Sequence, residues 1–456
     1  MRSDRTSAAR SWTVLSCLAV LQFFIAVDVT VVNIALPSIG AELGAGPREL
    51  TWVVVAYTIA GGGLLMLGGR LGDVFGRRRV LLVGTAVFGG ASLLAGVANS
   101  FAVLVVTRLL QGVGEALALP AAMATIVLLF PEGPRRSRAL SVWAAIASCG
   151  LVLGFVLSGV ITEFLGWRWI FLIAVPFVVF VLVTTVILIP ADRSRERAPL
   201  DVLGSLLLTC APLLFAFGVV EAGGDGGTPS WVPAVALVGA LVAGLLFFAV
   251  ERRATNPLIP LAFFRNRSRV LANLATALLS ATLSTSFLLF TFQLQDRLGL
   301  SPLQAGLMLL PLAVSLVLAV TVVPRLLGSW GARGCALVGI GFAALGMVVI
   351  GAAAHLGAPA PMLIPAMVLI AAGMGFGIVG LQYAAVTGVT DEDAGVASGV
   401  QRAADQLGGA TGVTVYVGVG FTPSVLGSSP YLLSCGLALV GLLGAAAVAG
   451  RIRIGR

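Results

Sequence analysis

The sequence predicts an all-α integral membrane protein of fourteen transmembrane helices, arranged as six, an inserted pair and six. Three observations predict it. Of 456 residues, 59% are hydrophobic and 10% charged, against about 25% charged in a soluble domain, so polar surface is too scarce to clothe a water-soluble globule. Apolar runs of about 20 residues, the length that crosses a hydrocarbon core, recur along the whole chain and leave no room for a folded soluble domain. All 28 basic residues are Arg, and they fall in short clusters between the runs, where topology is decided. The net charge of +9 would otherwise suggest a nucleic-acid partner; as orientation signals these arginines need the lipid bilayer and no nucleic acid.

Reading from charge to charge and turn to turn, the spans fall near 12–37, 51–70, 79–98, 101–129, 139–162, 167–189 and 200–222. They continue near 231–250, 270–293, 303–326, 334–354, 361–386, 395–420 and 430–450. The first follows Arg2, Arg5 and Arg10 but runs well past the roughly 7–15-residue core of a signal peptide, so it is retained. With the N-terminus cytoplasmic, alternate gaps carry Arg70, Arg77, Arg78 and Arg79; Arg135, Arg136 and Arg138; and Arg193, Arg195 and Arg197. Arg252, Arg253, Arg265, Arg267 and Arg269 follow, then Arg325 and Arg333, then Arg451, Arg453 and Arg456. That places 23 inside, against Arg48, Arg168 and Arg297 outside. Both termini are therefore expected in the cytoplasm of a multi-pass protein of the cell inner (plasma) membrane.

One internal repeat supports the division. Gly69-Arg70-Leu71-Gly72-Asp73-Val74-Phe75-Gly76-Arg77-Arg78, between spans 2 and 3, aligns without gaps on Pro324-Arg325-Leu326-Leu327-Gly328-Ser329-Trp330-Gly331-Ala332-Arg333, between spans 10 and 11. Both occupy the same loop of a six-span unit. The expected organisation is an N-terminal six-helix bundle at 1–192, an inserted two-helix linker at 193–268 and a C-terminal six-helix bundle at 269–456, as in transporters built from repeats.

Charges within a bilayer are costly, so intramembrane ionisable residues are functional candidates by default. Asp28 in span 1 and Arg108 in span 4 lie at similar depth, roughly 10–14 Å from the outer ends at ~1.5 Å per residue, and can pair. Glu115 follows Arg108 by two turns on one helix face, near mid-membrane. A carboxylate in a low-dielectric cavity can exchange a proton near neutral pH. Asp28 and Glu115 are thus candidate proton carriers with Arg108 biasing them, and a static ion pair or a substrate-cation site are the alternatives. Arg402 and Asp405 open span 13 and are read as capping or pairing locally. Cys17, Cys149, Cys210, Cys335 and Cys435 lie in separate runs and the single His355 near a span end, so no metal site, no cofactor and no catalytic set is expected, which excludes an enzyme.

Six stretches carry a resemblance. The loop Gly69-x-Leu71-Gly72-Asp73-x-x-Gly76-Arg77-Arg78-Arg79, the first-span run from Asp28 to Pro37, the fourth-span run from Arg108 to Glu115 and the fifth-span run from Gly150 to Gly159 are similar to signatures of the major facilitator superfamily. Within it, the chain resembles the fourteen-transmembrane-helix drug:proton antiporter family. Gly166 to Phe171, and Gln293 to Pro311, resemble the family's stretches at span 6 and between spans 9 and 10.

The resemblance implies the major facilitator fold and a proton-coupled antiporter that exports hydrophobic or cationic drugs or antibiotics by alternating access. It makes Gly69, Arg70, Gly72, Asp73, Gly76, Arg77 and Arg78 a conformational latch on the cytoplasmic side, and Gly150, Gly154 and Gly159 gating positions where helices pack closely. Asp28, Glu115, Gln293, Tyr383, Phe287 and Phe290 become the candidate substrate site, with Tyr416 a further aromatic wall. Three departures stand out: Glu115 where the family has a small residue, Phe155 where it has Pro, which leaves the direction of exchange open, and a connection of about ten residues between spans 13 and 14. A narrow exporter of one endogenous metabolite or antibiotic, conferring self-resistance, is the alternative. The partners expected are a small-molecule substrate and protons, and the chain is expected to act as a monomer.

Overall fold

In lipid every backbone polar group must be satisfied within its own segment, which leaves helices as the form these apolar runs take. A computed structural model describes residues 2–190, 200–223, 229, 231–254, 257–259, 263, 265–389, 394–422 and 429–452. Among them no strand occurs. The expected arginines at 193, 195, 197, 453 and 456 lie outside the described residues.

The N-terminal helices are α1 (Arg2–Leu43), α2 (Pro47–Phe75), α3 (Arg77–Gly96), α4 (Phe101–Leu129), α5 (Pro134–Phe164), the short α6 (Trp169–Leu172) and α7 (Ala174–Leu188). Next come α8 (Val202–Ala222) and α9 (Trp231–Arg253). The C-terminal helices are α10 (Arg267–Phe292), α11 (Pro302–Met308), α12 (Leu310–Leu356), α13 (Ile364–Val386), α14 (Ala394–Gly412), α15 (Gly418–Gly420) and α16 (Pro430–Ala449). Helix starts follow capping chemistry: Ser100 accepts from the Val103 N–H, Asp201 from Gly204 and Asn266 from Arg269, while Ser301 and Gln304 form a reciprocal box around Pro302.

Among the described residues, twelve stretches are long and apolar enough to cross a membrane. One of them, Pro302–Leu356, has 55 residues and is not one rod: inside α12 the chain leaves helical geometry at Gly331, with φ 68° and ψ 164°. Its counterpart in the aligned loop, Gly76, turns between α2 and α3 at φ 95° and ψ 131°. Two glycines matched from sequence alone both take a left-handed φ that a side chain would resist, and the aromatics before them, Phe75 and Trp330, are both exposed.

Packing repeats as well. In the N-terminal group α1 lies on α5 and α7, and α4 on α2 and α3; in the C-terminal group α10 lies on α14 and α16, and α13 on both parts of α12. The groups meet along two seams, α2 with α14 and α5 with α11. Helices α8 and α9 pair with each other, and α8 covers the first seam by packing on α2 and touching α14 and α15.

Candidate functional site

The site grows from one helix crossing. Gly112 of α4 has no room for a side chain because the Tyr57 carbonyl of α2 lies against it, and Gly114 is pressed onto the Phe88 backbone of α3. Small residues let backbones approach this closely, and α4 thereby carries its polar face into the middle of its neighbours.

On that face Arg108 (1% exposed) meets Asp28 of α1 (5% exposed). Arg108 Nη1 donates to Asp28 Oδ2 at 2.5 Å and to Gln111 Oε1 at 2.9 Å, and Nε donates to the Val53 carbonyl at 2.8 Å. Gln111 Nε2 donates in turn to Asp28 Oδ1 at 3.1 Å and to Ser92 Oγ at 2.9 Å. The Tyr57 ring lies 4.3 Å from the guanidinium carbon. Both Asp28 oxygens are thus satisfied by a network spanning α1 to α4, the arrangement a buried charge requires. Gln111 and Ser92 carry half of it; Gln111 stands three residues after Arg108, one turn along the same face, and that spacing was the signal for it.

Glu115, two turns on, is fully buried and faces the other group of helices. Gln406 Nε2 of α14 donates to Glu115 Oε1 at 3.2 Å, and Arg402 Nη2 of α14 lies 3.9 Å from the same oxygen. Glu115 Oε2 and the Tyr57 hydroxyl are buried without a hydrogen-bond partner, and Gly61 leaves the space, since a Cβ there would sit 2.9 Å from Oε2. Arg402 therefore reaches across a seam instead of pairing locally, and Asp405 accepts from Ser280 Oγ of α10 at 2.5 Å. The local reading of these two residues is corrected: a single apolar run shows no partner that belongs to a distant helix.

The remaining candidates divide. Gln293 is fully buried with neither amide atom partnered, at the start of a π-turn, Gln293–Arg297, that ends α10. Phe290 is buried, and the Phe287 ring packs 5.5 Å from that of Phe155, so the residue standing in place of Pro ties α5 to α10. Tyr416 is buried in a second π-turn, Val413–Val417. Tyr383 stands apart, 52% exposed on α13.

The loop after α2 is anchored on three sides. Arg70 donates to the Pro257 carbonyl, Arg78 Nη2 to that of Val186 at 2.6 Å, and Gly69 faces Pro120 of α4. Asp73 and Arg77 pair at 3.0 Å one turn apart, with Gly72 facing the Arg77 stem. In α5, Gly150 abuts Phe23 and Ala26 of α1, Gly154 abuts Thr30, and Gly159 crosses the second seam, where a Cβ would lie 2.7 Å from the Pro302 carbonyl.

The two ends of the molecule differ. Away from the arginine clusters, Gln295 Nε2 donates to the Ile34 carbonyl at 2.8 Å, and one apolar cluster runs from Ile34 and Phe171 to Phe290 and Leu294. At the arginine end the N-terminal group keeps its own cluster around Leu18, Phe88, Ile126 and Trp143, and α5 over 140–149 and α12 over 314–330 carry few buried residues.

A seam-linked pair of helix groups with charges held inside its spans defines a membrane transporter, and residues 18–413 match the Major Facilitator Superfamily. The chain belongs to that superfamily. It is 49% identical over 453 residues to a lincomycin resistance protein of Streptomyces lincolnensis, covering 97% of this chain and 92% of that one. It is 40% identical over 453 residues to a cephamycin export protein of Amycolatopsis lactamdurans, with 97% and 91% covered, and 36% identical over 437 residues to a puromycin resistance protein of Streptomyces alboniger, with 92% and 85% covered. In fold it is similar to a peptide transporter solved with sulfate, at TM-score 0.72 and 17% identity over 96% of this chain and 94% of that one.

Proposed function

We propose that this chain is a fourteen-span drug:proton antiporter of the cell inner membrane, with both termini cytoplasmic, that exports hydrophobic or cationic antibiotics by alternating access. The observation that carries the proposal is the pair of buried carboxylates on one polar wall, Asp28 held by Arg108 and Glu115 touched by α14. A carboxylate so placed serves proton exchange, and its link across the seam couples that exchange to the relative position of the helix groups. Relatives named for antibiotic resistance and export support the substrate class.

Fourteen crossings follow if α12 counts as two, parted at Gly331, and if Ala394–Gly420, roughly 40 Å long at ~1.5 Å per residue, is a further span whose Arg402 and Asp405 lower its hydropathy. Residues 1–192 and 269–456 then form the two bundles and 193–268 the inserted pair. With the arginine end cytoplasmic, the described form is closed outside and parted inside between α5 and α12. The loop from Gly69 to Arg78 serves as the latch, Gly150, Gly154 and Gly159 as gating contacts, and Gln293, Phe287 and Phe290 as substrate contacts; Tyr383, half exposed on α13, stands outside that set. The chain works as a monomer.

A second reading, export of one endogenous metabolite or antibiotic, draws on relatives each named for a single antibiotic. Expression in an efflux-deficient host separates the two: resistance across a panel of lipophilic cations supports the broad exporter, and resistance to one compound the narrow one. Efflux from energised vesicles that persists after the pH gradient is collapsed would overturn proton coupling.

A further inference from the structure

We propose that Arg402 is a shared counter-charge that passes between Glu115 of the N-terminal group and Asp405 of its own helix, and that this transfer ties or frees α14 against the N-terminal group at the α2–α14 seam. The proposal rests on the proton-coupled reading above and adds two residues and a direction of action to it.

Three observations carry it. Arg402 lies eight residues into α14, about 12 Å along at ~1.5 Å per residue, too deep for a guanidinium to face lipid at low cost. Its side chain is nevertheless 50% exposed while its partner Glu115 is fully enclosed. Arg402 therefore stands in the space between the helix groups, 3.9 Å from the carboxylate and half uncovered. Asp405 follows it by three residues, and side chains three apart on a helix are neighbours. In this structure Asp405 accepts from Ser280 Oγ at 2.5 Å, a neutral partner.

The groups facing Glu115 set the sign. Tyr57 faces it from α2, Asp28 from α1, and Arg402 and Gln406 from α14, while Arg108 on its own helix is committed to Asp28. Arg402 is thus the mobile cation of the set. With Glu115 ionised, Arg402 bridges α14 to α4. When Glu115 takes a proton, the attraction is lost and Asp405 is the remaining carboxylate within reach, so Arg402 folds back onto α14 and the bridge opens. Arg402 acts here as a positioning residue, and Asp405 as the group that receives it.

The test measures distance. Nitroxide labels are placed at Ser141 of α5 and Ser329 of α12, exposed positions in opposite groups at the arginine end, in full-length protein with Cys149 and Cys210 replaced by Ser. Pulsed EPR is recorded between about pH 8 and about pH 5.5 without added drug, a range in which a buried carboxylate can titrate. The parent should show a pH-driven shift in the distance distribution. Glu115→Gln and Arg402→Gln should both be fixed at the low-pH distribution, and Arg402→Lys should recover the shift. Asp405→Asn should lower the midpoint by about one pH unit, tenfold in proton concentration, because Arg402 loses its alternative partner. Arg402→Gln that shifts like the parent, or Asp405→Asn with an unmoved midpoint, overturns the proposal and leaves proton coupling standing. A parent that does not respond to pH overturns both.

Discussion

Arg108 of α4 holds Asp28 of α1 at 2.5 Å, and both side chains are shut away from solvent. Removing one partner of such a pair strands a buried charge and costs about 3–5 kcal/mol. Asp28→Asn should therefore melt well below the parent in detergent. The double variant Asp28→Asn, Arg108→Gln should recover part of the loss, since no net charge is left behind. Additive losses in this double-mutant cycle would mean that the pair contributes nothing as a pair.

Glu115→Gln keeps an acceptor for Gln406 and deletes the ionisable group. Efflux down a drug gradient should persist, while the extra efflux driven by a pH gradient should be lost, because no ionisable group is left at that position to carry the proton. Fluorescent-drug efflux from inverted vesicles, with and without the gradient, checks this. Gradient-driven efflux that survives in both Glu115→Gln and Asp28→Asn would move the proton path elsewhere.

Two glycines of α5 should fail in different ways. Gly154 packs on Thr30 within the N-terminal group, so Gly154→Ala overpacks a permanent contact and should cost about 1–3 kcal/mol of stability. Gly159 abuts Pro302 across a seam that must open and close. Gly159→Ala should leave the melting temperature nearly unchanged and slow turnover; comparing melts with transport rates separates the effects.

Asp73 and Arg77 form a half-exposed ion pair at 3.0 Å, of a kind worth less than about 1 kcal/mol. Asp73→Asn should therefore leave thermal stability within that margin. If the loop acts as a latch, transport should drop severalfold all the same. Transport equal to the parent's would make the loop an orientation signal and nothing more.

Much of this was legible in the sequence. Hydropathy found the helices because lipid forces each apolar run to satisfy its own backbone, and depth arithmetic alone brought Asp28 to Arg108. The loop alignment paired Gly76 with Gly331, and both turned out to hold a left-handed φ. What stayed hidden depends on contacts between distant helices. Nothing in the run from 101 to 129 says that Glu115 will meet residues nearly three hundred positions later, and Arg402 and Asp405 looked like a local pair. The π-turns at Gln293–Arg297 and Val413–Val417 were invisible because an extra residue in one turn leaves the apolar pattern almost unaltered.

Helices α8 and α9 give the molecule a back and a front. Because α8 lies over the α2–α14 seam, with Thr209 against Gly63, a lipophilic molecule dissolved in the membrane meets a wall on that side. Among the described residues neither α8 nor α9 packs on the α5–α11 seam. A drug partitioning from the bilayer would arrive along that side, and the exposed Leu153 and Val160 of α5 and Leu307 of α11 would be the first side chains it touches, ahead of the buried Phe155.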